Sequence, residues 1–107
     1  HAFRVPGSGP AERLQPTAPP LGLAESATFG RVMVPWDFRT DTLLLFTDGL
    51  QDQANAAGER FGEARILARV EAERHRTPTE IVDLVFHDVA EFGGTADDDR
   101  TLLVLRM

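Results

Sequence analysis

Two short apolar runs constrain this chain more than any other feature. Leu43-Leu44-Leu45-Phe46 and Leu102-Leu103-Val104-Leu105 each place four large apolar residues in succession, and each has an aspartate close to one end. Runs of this length between turn signals fit strands buried on both faces, and they are too short for a helix. The first, Thr42 to Thr47, stops at Asp48-Gly49, which reads as a turn. The second, Thr101 to Leu105, follows directly on Asp97-Asp98-Asp99-Arg100. A strand buried on both faces needs a layer on each side.

The rest of the sequence supplies too few layers. Five of the seven prolines fall between 6 and 22 (Pro6, Pro10, Pro16, Pro19, Pro20), so that segment reads as turns and connecting loop. Residues 27–34 read as extended, with Phe29, Arg31 and Met33 alternating with Gly30, Val32 and Val34. Residues 50–60 read as a loop punctuated by Asn55 and Gly58. A first helix is expected from about Gly62 to Arg74, with Ile66, Leu67 and Val70 on one face. A second starts at Thr77-Pro78-Thr79-Glu80, a capping box with proline at the first helical position. Its stripe is Ile81, Leu84, Val85, Val89 and Phe92, and Gly93-Gly94 stops it. The expected order is loop, strand, strand, helix, helix, strand. Two helices do not cover both faces of two such strands, and the chain opens on His1 with Ala2, Phe3 and Val5. Residues 1–107 therefore read as a piece of a single domain, part of which is missing.

Composition removes several function classes. A chain of 107 residues suits one domain or a piece of one, and 42% hydrophobic residues are enough for a core. There are 17 acidic against 11 basic residues, a net charge of −6, which disfavours sequence-blind nucleic-acid binding. No run approaches the ~20 apolar residues of a membrane span, so no membrane contact is expected from this segment. The absence of cysteine excludes a disulfide framework and fits a cytoplasmic setting.

The chemistry rests on carboxylates. If the two apolar strands lie side by side and antiparallel, Asp48 and Asp98 meet at one edge of the sheet. Paired hard oxygen donors on a rigid scaffold suit Mg²⁺ or Mn²⁺. The same residues also have ordinary readings: Asp-Gly after a strand is a common turn, and three successive aspartates commonly form a solvated loop. His75 and His87 fall on the expected helices without ligand partners and read as surface residues. Trp36 reads as packing in the turn before the Leu-rich strand, and Phe61 and Phe92 as core anchors.

Several motifs in order carry a family resemblance. Thr47-Asp48-Gly49-Leu50, Asn55, Gly58-Glu59, Phe61-Gly62-Glu63 and Asp97-Asp98-Asp99-Arg100-Thr101-Leu102-Leu103-Val104-Leu105-Arg106 resemble the C-terminal half of a PPM-type metal-dependent serine/threonine phosphatase domain. The SpoIIE/RsbU branch matches best. Pro20-Leu21-Gly22-Leu23 resembles that branch's loop before the middle strands, and Asp41 its Gly-Asp step into the Leu-rich strand. Two departures stand out: Thr40 replaces the usual glycine, and Gln51-Asp52-Gln53-Ala54 replaces the usual Thr-Glu-Ala-Arg.

The resemblance implies an α+β fold, half of a layered α-β-β-α sandwich whose N-terminal half is absent. It implies Asp48 and Asp98 as metal ligands, Gly49 and Asp99 in support, and Asp97 in solvent. Two or more Mn²⁺ or Mg²⁺ ions are implied in the complete domain, where water activated by the ions attacks phosphorus and no side chain is the nucleophile. His1 resembles the histidine of the segment with which this half begins. The implied activity is phosphoserine/phosphothreonine phosphatase on a phosphorylated regulatory protein such as an anti-anti-sigma factor, with the fragment alone inactive. The alternative is a non-catalytic phosphatase-like module that binds a partner.

Overall fold

The computed structural model describes residues 1–16, 30, 33–94 and 99–106. Four strands form an antiparallel sheet of order β2-β1-β3-β4, with β1 Ala2–Val5, β2 Glu12–Arg13, β3 Thr42–Phe46 and β4 Leu102–Leu105. Between β3 and β4 the chain makes a one-turn helix, α1 Asp48–Gln51, and two longer ones, α2 Glu63–Ala72 and α3 Pro78–Phe92. The small α+β architecture agrees with the sequence reading.

Alternation along the strands puts Phe3 and Val5 of β1, Thr42, Leu44 and Phe46 of β3, and Val104 of β4 on one face. That face packs against Leu50, Phe61, Ile66, Val70, Ile81, Val85 and Val89 in one core. Both expected helices form. α3 begins as its capping box predicts: the Thr77 hydroxyl accepts from Glu80 N–H at 3.2 Å, Pro78 occupies the first turn, and Gly93 caps the C-terminus. Ile81, Val85 and Val89 are fully buried, while Leu84 and Phe92 are half-buried at the stripe's margins. In α2, Ile66 and Val70 are buried and Leu67 lies at the core's edge.

Four sequence expectations need correction. First, β1 and β2 are strands where mixed sequence and loop were read. Phe3 and Val5 alternate with Arg4 over only four residues, and Glu12–Arg13 falls within the proline-rich segment. Second, β4 is not buried on both faces. Val104 faces the core, whereas Leu103 and Leu105 are 44% and 42% exposed, because helices pack on one side of the sheet alone among the described residues. Third, Asp48-Gly49 opens α1 instead of a plain turn, and the following loop folds back through an Ala54–Arg60 bridge. Fourth, His75 lies in the turn after α2 and not on a helix, while it and His87 are exposed as expected. The expected extended segment 27–34 lies mostly outside the described residues, and Met33 and Val34 belong to no strand. The Pro20–Leu23 loop also lies outside them.

Asp41 shows how the entry to β3 is fixed. It is 1% exposed, and its carboxylate accepts from Arg4 Nε at 2.8 Å, Asp37 N–H at 2.9 Å and the Thr40 hydroxyl at 3.3 Å. Burial pushes this carboxyl upward, but the Asp37 N–H bond and the Arg4 ion pair outweigh it and hold it below the ordinary value. Arg4 is itself shared with Glu12 at 2.9 Å, tying β1 and β2 to the start of β3.

Candidate metal centre

The condition set by the sequence is met: β3 and β4 are adjacent and antiparallel, with Phe46 opposite Leu102. The C-terminal end of β3 and the N-terminal end of β4 therefore lie at one end of the sheet. Thr47 N–H donates to Thr101 O at 3.2 Å, extending the ladder by one step. The Thr47 hydroxyl accepts from Thr101 N–H at 3.1 Å and donates to Asp99 O at 3.4 Å. One side chain thus ties the residue before Asp48 to the backbone that leaves the acidic segment.

The other end of that segment is also pinned. Gln53, 5% exposed, donates from Nε2 to Gly93 O at 3.0 Å and accepts at Oε1 from Arg100 Nη1 at 2.8 Å. Gly94 lies against the backbone of Ala54 with φ +86°, and a Cβ there would fall 1.8 Å from Ala54 O. Only glycine fits that close approach and that conformation. Asp97 and Asp98 lie outside the described residues; on one side of them Gly93-Gly94 is held against Gln53 and Ala54, and on the other Arg100 bonds Gln53 and Asp99 bonds Thr47.

Asp48 is the first residue of α1, and its side chain is 68% exposed. Both of its neighbours act on one oxygen: His1 Nε2 lies 2.5 Å from Oδ1, and Gln51 Nε2 donates to the same atom at 3.4 Å. Among the described residues no hydrogen bond reaches Oδ2. Gln51 Oε1 is buried without a donor among the described residues. Gly49 is buried beneath the turn.

His1 is placed by the ladder. Its backbone nitrogen donates to Phe46 O and its carbonyl accepts from Phe46 N–H, both at 3.0 Å, and its ring stacks on Phe46 at 5.3 Å. On its far side Arg13 Nη1 approaches Nδ1 at 3.4 Å, and Arg13 also pairs with Glu63 and lies over the Phe3 ring at 4.6 Å. A shallow apolar hollow of about 250 Å³, lined by His1, Leu45, Phe46, Thr47, Thr101 and Leu103, adjoins Asp48.

These donors suit a hard cation in kind: an exposed carboxylate with one oxygen held and the other free, beside an unpaired amide oxygen. In number they fall short, since among the described residues no three His, Cys, Asp or Glu side chains form a group able to hold an ion. Sequence reasoning singled out Asp48 but did not foresee the contacts that Thr47, Gln53, His1 and Arg13 make around it. The only signal for Gln53 was its departure from the resembled pattern.

No described helix is long and apolar enough to cross a membrane. No curated protein and no solved structure matched the chain. A sequence model of the family described as stage II sporulation protein E (SpoIIE) matches residues 2–107, nearly the whole chain. The chain belongs to the SpoIIE family, and with it to a family of phosphatase domains.

Proposed function

We propose that this chain is part of a Mg²⁺- or Mn²⁺-dependent phosphoprotein phosphatase domain, with Asp48 and Asp98 as metal ligands and Gly49 and Asp99 in support. The observation that carries the reading is the antiparallel pairing of β3 and β4, which brings Asp48 and the Asp99 backbone to one end of the sheet. Family membership supports the same chemistry.

Bound there, divalent ions would acidify water into a nucleophile and neutralise charge on the phosphoryl oxygens. This chain's own residues orient and hold. Asp48 presents Oδ2, Gly49 is buried beside it in α1, and Thr47 ties the turn to the Asp99 backbone. Gln53 and Arg100 anchor the acidic segment carrying Asp98. The substrate is a phosphoserine or phosphothreonine on a regulatory protein, and the activity needs the ligands of an N-terminal half, so residues 1–107 alone are inactive.

The test is Mn²⁺-dependent hydrolysis of a phosphoserine protein by the full-length protein. Asp48→Asn and Asp98→Asn each abolish turnover while circular dichroism is unchanged, because an amide offers a hard cation a neutral, weaker oxygen. Wild-type turnover in either variant at saturating Mn²⁺ overturns the assignment.

A further inference from the structure

His1 enters none of the roles above, yet four groups hold it against Asp48. We propose that His1 is a positioning residue for Asp48: its Nε2–H fixes Oδ1 and leaves Oδ2 directed to the cation. This rests on the reading of Asp48 as a ligand and goes beyond it by assigning what aims that ligand.

The hydrogen-bond pattern assigns the tautomer. A guanidinium only donates, so Arg13 Nη1, 3.4 Å from Nδ1, requires a lone pair on that nitrogen. The ring proton is then on Nε2, the atom 2.5 Å from Asp48 Oδ1, and an ionised carboxylate only accepts. The two contacts agree on one tautomer. Glu63 Oε2 lies 3.9 Å from Nδ1, beyond hydrogen-bond reach, and is engaged with Arg13.

The ring plane is fixed independently. Stacking on Phe46, which is 3% exposed and itself stacked on Phe3 at 5.7 Å, sets its tilt. The paired backbone bonds to Phe46 set its height. The side chain is 26% exposed, so little freedom remains. Asp48, at 68%, has no packing of its own to orient it and takes its direction from His1 and Gln51. Hydrogen bonds that orient a ligating carboxylate typically change metal affinity by about 10–100-fold when lost.

The experiment measures Mn²⁺ affinity of the full-length protein by calorimetry, with the imidazole ¹⁵N spectrum of the metal-free wild type beside it. His1→Phe keeps a ring on Phe46 but drops the N–H, and should weaken Mn²⁺ binding about tenfold. His1→Gln returns a donor near the position of Nε2 and should bind within about threefold of wild type. The wild-type spectrum should show the Nε2–H tautomer, and Arg13→Met should lose that preference. Equal losses in His1→Phe and His1→Gln would mean a structural role only and overturn the proposal. So would a wild-type Nδ1–H tautomer, a result that depends on no variant folding. If His1→Phe binds as wild type while Asp48→Asn does not, the positioning role fails and the ligand assignment stands. If Asp48→Asn also binds as wild type, both fail.

Discussion

Gln53→Leu should loosen the acidic segment from the sheet at a measurable cost in stability. Leucine keeps the buried volume but removes the 3.0 Å bond to Gly93 O and the 2.8 Å bond from Arg100. A bond from a charged donor contributes roughly 1.5–3 kcal/mol and a neutral one roughly 0.5–1.5 kcal/mol. Arg100 is exposed and regains water, so its bond counts at the low end. The Gly93 carbonyl is half-buried at the end of α3 and is left short of a donor. The two together give about 2 kcal/mol, which in a complete domain of about twice this length lowers Tm by roughly 4–8 °C. Urea denaturation of Gln53→Leu, Arg100→Met and the double variant measures both the loss and the coupling, with about 1 kcal/mol expected for the Gln53–Arg100 pair. A loss under about 0.5 kcal/mol, or additive single variants, would refute the view that Gln53 clamps this segment.

Gly94→Ala should destabilise by more than about 3 kcal/mol, since the new Cβ falls 1.8 Å from backbone oxygen at a positive φ; a Tm within a few degrees of wild type would contradict the close approach to Ala54. Asp41→Asn should lose roughly 1.5–3 kcal/mol at neutral pH, from the weakened bonds of the buried carboxylate to Arg4 and Asp37 N–H, with Arg4 left to Glu12 alone. Because the Asp41 carboxyl is held below its ordinary value in the folded state, its contribution is present above about pH 4 and is lost as pH falls through the lowered value. Denaturation against pH should therefore show a flatter acid limb in the variant, and an unchanged limb would refute the linkage.

Some of this was legible in the sequence because the signal was local. The capping box at Thr77–Glu80 and the stripe Ile81, Val85, Val89 lie within one helix and define it alone. The Leu43–Phe46 run defines β3, and its antiparallel pairing with β4 meets the condition under which the two strand-end carboxylates share one edge. β1 was not legible, since four residues containing Arg4 give too weak an alternation. β2 has no apolar residue, and its pairing depends on Arg4–Glu12 and on Arg13 over Phe3. Burial of β4 was overread because Leu103 and Leu105 resemble core residues whether or not a second layer covers them. The site followed the same rule. Asp48 stands out beside a strand end, whereas the contacts of Gln53 with Gly93 and Arg100, and of His1 with Asp48, join residues 40 to 47 positions apart.

In the function proposed above, Asp48 and Asp98 together hold a divalent cation. A Mn²⁺ titration of the full-length protein carrying Asp48→Asn, Asp97→Ala, Asp98→Ala or Asp99→Ala tests it most directly. Saturable binding should disappear in the Asp48 and Asp98 variants and persist within about threefold in Asp97→Ala, where only screened charge is lost. Asp99→Ala should fall between, through loss of orientation. Wild-type Mn²⁺ binding in either Asp48→Asn or Asp98→Ala would contradict the claim.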